Sequence, residues 1–311
     1  MKLSIIGAGH VGTTLAFTVS MRGFVRELIL VGRDRDRIEG EALDLAHGEA
    51  FFPAPAKIRA GEIADTGGSD ILVFCASAVF TGETRLALGP ANTRLLEDML
   101  PLLLHASPEA LLLMVSNPVD VLTWQALRIT GLSASRVFGT GTMLDSMRFR
   151  HLLSQEIGIH PDDLRAYILG EHGDSQFPAM SMASTGAEHI EDTPRRRELF
   201  RQAAGAGLKI HSLKGHTSYG IAVSTAAIIE SIALDEKRTM PLSVRIDGFL
   251  GIDDVCLSLP VVVGRGGVEQ VLHPNLDEAE TAAFRHSAEV VRRAIETCDP
   301  SDSTDPSNRS D

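Results

Sequence analysis

His172 stands in Gly170-Glu171-His172-Gly173-Asp174-Ser175, with glycines close on either side. An imidazole titrates near neutral pH, so it suits taking and returning a hydroxyl proton while hydride moves at the carbinol carbon. A lone histidine is more often structural, but the flanking glycines point to a loop that holds this one in a constrained place. Asp145, in Gly141-Thr142-Met143-Leu144-Asp145, is a candidate partner. A carboxylate beside the ring would fix its tautomer and favour its protonated form. Taken alone, Asp145 equally suits a helix N-cap. Arg148 follows three residues later, on the same face if the segment is helical. Its guanidinium could grip a carboxylate through two hydrogen bonds. From spacing alone, a surface arginine is the simpler reading.

Two further segments follow apolar runs. Ser77 to Arg85 comes after Asp70–Ala76 (DILVFCA), and Ser116-Asn117-Pro118 ends Ala110–Ser116 (ALLLMVS). Loops beyond the carboxyl ends of parallel strands form a ligand crevice. A closing loop that carries Arg85 would exclude water and polarise a carbonyl. Asn117 suits either a cofactor contact or a substrate oxygen. Pro118 admits a cis peptide before it.

Gly7-Ala8-Gly9-His10-Val11-Gly12 fits GxGxxG between a strand and a helix. The first glycine permits a tight turn, the second admits a pyrophosphate to the backbone, and the third lets helix and strand pack closely. The competing reading is a glycine-rich structural turn. A site for NAD normally ends its second strand in Asp or Glu. Here that strand reads ELILVGRDRDR, with Gly32 and Arg33 at its end. Glycine would leave room and arginine would pair with a 2′-phosphate, so NADP(H) is expected over NAD(H). Alternatively, Arg33, Arg35 and Arg37 merely begin a solvated helix and backbone contacts hold NAD.

The elements that must position these groups alternate. Lys2–Gly7, Glu27–Val31, Asp70–Ala76 and Ala110–Ser116 read as strands; 11–22, 36–47 and 92–104 read as helices. Continuous apolar strands separated by helices predict an α/β fold with a parallel sheet covered on both faces. Helices are expected over 146–156, 198–210, 218–234 and 276–297. Leu257–Val263 reads as a strand at an edge or irregular position because it contains Pro260. The domain boundary is expected between Gly139 and Asp145, giving 1–142 and 143–298. The Pro/Ser/Asp-rich tail, 299–311, is expected to be disordered.

A chain of 311 residues that is 44% hydrophobic can bury a sizeable core. Its net charge of −12 argues against a nucleic-acid partner. Cys75, Cys256 and Cys298 form no CxxC pair, so free thiols in a reducing cytoplasm are expected rather than a disulfide framework or a zinc site. The remaining histidines show no metal-ligand spacing; His211 and His216 read as polar filler in a loop-like stretch, with His216 near the inferred pocket. No signal peptide or membrane span is expected.

Together the segments GAGHVG, EGEALDLAHG, TGETRLAL, VSNPVDVLT, GTGTMLDSMRFR, GEHGDSQF and LKGHTSYGIA resemble the L-lactate/malate dehydrogenase family. The resemblance implies a doubly wound Rossmann domain followed by a mixed α/β catalytic domain, assembled as a homodimer or homotetramer. It implies that His172 exchanges the proton, Asp145 backs it, Arg148 binds the substrate carboxylate and Arg85 polarises the C2 oxygen. Asn117 would orient that oxygen, Thr217 would line the pocket, Ile221 would pack on the nicotinamide and Asn92 would touch the cofactor.

The chain departs from the pattern at Gly32, at Ala76, Ser77 and Thr81, and at Val79. Val79 occupies the position where malate-type enzymes carry arginine and lactate-type enzymes glutamine. Valine offers an apolar wall, against which a second carboxylate would be heavily disfavoured. An apolar substituent would gain roughly 0.8 kcal/mol per buried CH₂. A 2-oxo acid with an apolar side chain is therefore expected, as for 2-hydroxyisocaproate dehydrogenases. The alternatives are a lactate or malate enzyme whose specificity is set by Phe80 or Arg94, and a non-catalytic dinucleotide-binding protein. The related NAD-dependent glycosidases need a metal-binding Cys/His pair, and no cysteine adjoins Asn117-Pro118.

Overall fold

The computed structural model describes residues 1–78 and 88–298. Six strands, β1 (Lys2–Ile6), β2 (Glu27–Val31), β3 (Lys57–Ala60), β4 (Ile71–Phe74), β5 (Leu111–Met114) and β6 (Val137–Gly139), form a parallel array ordered β3-β2-β1-β4-β5-β6. The helices α1 (His10–Arg22), α2 (Arg35–His47), α3 (Gly89–Ala106) and α4 (Val119–Thr130) connect them. Every residue of β4 and β5 is buried, which is why these runs are continuously apolar rather than alternating. The strand order reverses between β1 and β4, so a crevice opens beyond their carboxyl ends.

The same sheet continues into the second half. Gly139 of β6 pairs antiparallel with Ser243 of β9 (Arg238–Asp247), followed by β10 (Asp253–Gly264) and β11 (Gly267–Val271). A nine-stranded sheet thus spans both halves. Against it lie α5 (Met143–Ile157), α6 (Pro194–Lys214), α7 (Tyr219–Leu234), α8 (Glu278–Glu296) and the small pair β7 (Ile168–Leu169) and β8 (Phe177–Pro178).

Of the two positions expected for Leu257–Val263, edge or irregular, the edge needs correction: β10 is interior, between β9 and β11, and its pairing with β11 shifts register between Val262 and Val263. Pro260 lies directly opposite Pro241, and its carbonyl accepts from Leu272 N–H on the far side. In an antiparallel ladder a residue aims both backbone groups at one neighbour. The missing donors of the two prolines therefore face away from each other, so the β9–β10 ladder loses no bond between them. His211, expected in a loop, lies in the last turn of α6. β3, β6 and β11 are too short to carry a clear signature, whereas β9, not anticipated as a strand, does carry one: Met240, Leu242, Val244 and Ile246 alternate with Pro241, Ser243, Arg245 and Asp247. The expected disordered tail lies outside the described residues.

Glycine conformation is decisive at the crevice. Gly7 adopts φ +98°, and a Cβ there would lie 2.3 Å from Ala76 N and 2.5 Å from Ala76 Cα. The end of β1 thereby touches the turn after β4. Gly9 adopts φ −84°, and a Cβ there would meet nothing within 4 Å. Gly7→Ala should thus cost at least about 2 kcal/mol through backbone strain alone and lower Tm by roughly 5 °C or more. Gly9→Ala should leave Tm within about 2 °C. Thermal unfolding of both variants checks this, and equal losses would refute the steric assignment.

Candidate active site

His172 occupies the loop after β7, and Asp145 the first turn of α5. His172 Nδ1 and Asp145 Oδ2 are 2.6 Å apart, with side chains 15% and 2% exposed. The N-cap of α5 is Thr142 rather than Asp145, so the capping alternative is set aside. Arg148 Nη1 donates to the other oxygen, Asp145 Oδ1, at 3.2 Å. One buried carboxylate therefore engages both the imidazole and the guanidinium. The i, i+3 spacing on α5 puts Arg148 on the same face as Asp145, toward His172 rather than toward the outer surface.

The loop around His172 is held on every side. Gly170 adopts φ +87° and exchanges backbone hydrogen bonds with Ser258 of β10. A Cβ on Gly170 would lie 2.5 Å from Ser287 Oγ of α8, and one on Gly173 would lie 2.3 Å from the Glu171 carboxylate. Glu171 is buried and accepts from the amide and the hydroxyl of Ser175. Asp120, in the first turn of α4, accepts the backbone N–H of His172 at 2.7 Å. Burial pushes its carboxyl up to about 6, while the Ser243 hydroxyl and the His172 amide act in the opposite direction. Sequence reasoning passed over Asp120 and Glu171 as site residues. The signal for Asp120 is an acid inside an otherwise apolar run, Val119-Asp120-Val121-Leu122.

Asn117 and Pro118 are joined by a cis peptide at the end of the β5 connection. Asn117 Oδ1 is buried and accepts no hydrogen bond among the described residues. Asn92, expected against the cofactor, is fully buried in α3 and engages the protein with both ends of its amide. Its Oδ1 accepts from Ala78 N–H and its Nδ2 donates to the Asn117 carbonyl, both at 2.7 Å. It is a strut between the base of the Ser77–Arg85 segment and the Asn117 turn. Val79, Phe80, Thr81 and Arg85 lie outside the described residues.

At the glycine loop, the third glycine touches the first. A Cβ on Gly12 would lie 2.4 Å from the Gly7 carbonyl. The empty space at Gly9, at the N-terminus of α1, is the opening that a dinucleotide pyrophosphate requires. His10 begins α1, followed by the partly buried Val11. The His10 ring stacks on His216 with centroids 4.1 Å apart and planes 11° apart. His216 is therefore more than filler: it ties the glycine loop to the segment carrying Thr217 and the start of α7. Withdrawal from water, then the charges of His10, Lys214 and His211, holds its imidazole below its ordinary value. Farther along, Gly220 packs against Leu144, the neighbour of Asp145, and Ile221 lies partly buried on the same helix. Thr217 and Ile221 are thus carried between the glycine loop and α5.

Gly32 does not leave open room as expected. A Cβ there would lie 2.9 Å from Ile38 Cδ1 and Cγ1, so an acid at this position would require Ile38 to move. Asp34 caps α2 by accepting from Arg37 N–H, while Arg35 pairs with Glu62 and Arg37 approaches Glu41. Arg33 is exposed and, among the described residues, pairs with no carboxylate. No group of His, Cys, Asp and Glu suited to hold a metal ion occurs among the described residues, and none of their helices is long and apolar enough to cross a membrane.

Two family models match the chain. The lactate/malate dehydrogenase NAD binding domain covers residues 1–139, and the lactate/malate dehydrogenase alpha/beta C-terminal domain covers residues 142–300. The L-lactate dehydrogenase of Moorella thermoacetica is 43% identical, over 94% of this chain and 96% of that protein. That of Thermoanaerobacter sp. (strain X514) is 40% identical, over 96% and 99%. The crystal structure of a minor L-lactate dehydrogenase from Enterococcus mundtii superposes with a TM-score of 0.92 at 30% identity, covering 96% of this chain and 98% of that one. Agreement of this kind over nearly the whole length, in both halves, means that the chain belongs to the lactate/malate dehydrogenase family.

Proposed function

We propose that this protein is a nicotinamide-dependent L-2-hydroxy-acid dehydrogenase in which His172 exchanges the proton of the C2 oxygen. The carrying observation is the 2.6 Å contact between His172 Nδ1 and the buried Asp145 carboxylate. With Nδ1 engaged there, the other ring nitrogen is the end that meets the substrate. In the reducing direction, bound dihydronicotinamide supplies the hydride to C2. His172 gives its proton to the C2 oxygen, and Asp145 stabilises the imidazolium before transfer. Arg148, braced by Asp145, holds the substrate carboxylate. Arg85 is assigned to the C2 oxygen on sequence grounds. Asn117, whose buried Oδ1 has no partner among the described residues, orients the reacting groups.

The cofactor reading is NADP(H) over NAD(H). It is supported by the absence of an acid at position 32, by the use of Asp34 as a helix cap and by the exposed Arg33, which pairs with no carboxylate among the described residues. A phosphate beside Arg33 would form a charge-assisted pair. The substrate reading is a 2-oxo acid with an apolar side chain, supported by valine at position 79 of the sequence. The names of the relatives favour a second reading, reduction of pyruvate to L-lactate.

Three measurements test these assignments. His172→Asn should lower kcat/KM for 2-oxo-acid reduction by about 10²–10⁴-fold without loss of fold; a variant that keeps a tenth of the activity would remove His172 from the chemistry. Wild-type kcat/KM should be higher with NADPH than with NADH. Arg33→Ala should lose at least about ten-fold with NADPH and little with NADH, and an NADH preference in the wild type rejects the phosphate reading. Across pyruvate, oxaloacetate, 2-oxoisocaproate and phenylpyruvate, the apolar acids should turn over best. Best turnover of pyruvate selects the lactate reading, and best turnover of oxaloacetate excludes both.

A further inference from the structure

Asp120 lies three residues after Asn117 and outside the proton-transfer pair. It is 3% exposed. Its Oδ2 accepts the His172 amide, and the Ser243 hydroxyl beside its carboxyl favours the ionised form. Ser243 reaches its surroundings from β9 and Cys256 from β10, and His172 and Glu171 do so from the loop after β7. Beyond His172 stands Asp145, joined in turn to Arg148. No lysine or arginine pairs with Asp120 among the described residues. A buried carboxylate without a cationic partner burdens a fold. The positive charge that bears on this one is the His172 imidazolium.

We propose that Asp120 is a positioning residue for the His172 proton transfer, clamping the histidine backbone from α4 while its negative charge favours the imidazolium. The inference rests on the proposed role of His172. Asp145 grips the ring from α5, and Asp120 grips the main chain from the helix that follows the Asn117 turn. The histidine and the asparagine are thereby held in register with each other. Two carboxylates approached from different helices set both the orientation and the basicity of one imidazole.

Asp120→Asn separates this role from a structural one, because the amide oxygen can still accept the His172 N–H while the charge is gone. Loss of a negative charge near an imidazole lowers its pKa. The alkaline limb of kcat/KM for 2-oxo-acid reduction should therefore move down by roughly half a pH or more. At pH 8, kcat should fall about three-fold or more with KM within about two-fold. Stability should respond in the opposite sense. The folded pKa of Asp120, about 6, is raised above 3.8. Its protonated form therefore stabilises the fold at low pH, and that contribution is lost as pH rises through about 6. The Tm of Asp120→Asn relative to wild type should thus be more favourable at pH 8 than at pH 5.

An unmoved alkaline limb with unchanged kcat overturns the inference, and so does a kcat loss explained by a lower Tm at pH 8. If Asp120→Asn does not fold, Ser243→Ala serves instead. It removes a hydroxyl that favours the ionised carboxylate, so the acid limb of kcat should move up; a stationary limb overturns the proposal. Wild-type protein inactive on every 2-oxo acid tested would sink the dehydrogenase reading and this inference with it. Active wild type matched by Asp120→Asn sinks the inference alone.

Discussion

Asp145 is almost wholly withdrawn from water and engages two basic groups, the His172 ring at 2.6 Å and Arg148 at 3.2 Å. A carboxylate in such a place is tolerable when its lone pairs and its charge are met. That requirement organises what surrounds it. α5 must begin at the end of the sheet, so that its first turn points inward. The His172 loop must come back across β10, and the ring must present Nδ1 rather than its other nitrogen to the carboxylate. Arg148 is drawn to the same face by the same charge.

The second constraint is close approach. β1 and the turn after β4 touch at Gly7, helix α1 starts against the Gly7 carbonyl at Gly12, and the Gly170 turn lies against Ser287 of α8. Each contact leaves no room for a side chain. Between them, Gly9 leaves space empty. Filled and unfilled glycines therefore have opposite meanings here: the filled ones pack the scaffold, and the unfilled one keeps a helix N-terminus accessible to an anion.

The continuous sheet makes the two halves one mechanical unit. Gly139 pairs with Ser243, Gly170 pairs with Ser258, and Thr142 N–H donates to Ser258 Oγ, so the segment crossing from β6 to α5 is fixed to β9 and β10. The cofactor loop is joined to the second half separately, by the stacked rings of His10 and His216. Movement of either segment carrying these histidines would be felt by the other.

The sequence by itself determined the alternating α/β order, the buried parallel strands and the glycine loop, because apolar runs and glycine spacing are local properties that one strand or turn expresses alone. It also singled out His172, Asp145 and Arg148 as types suited to one chemistry, but spacing could not separate Asp145 from a helix cap or Arg148 from a surface arginine. Only the tertiary structure decided those points, since 27 residues separate Asp145 from His172 and their meeting depends on how α5 crosses the β7 loop. It also decided that Pro260 sits inside the sheet, that Ile38 fills the space beside Gly32, that Asn92 faces inward and that Asp120 holds the histidine main chain. Each depends on what lies opposite a residue in space, and hydrophobic periodicity carries no information about that.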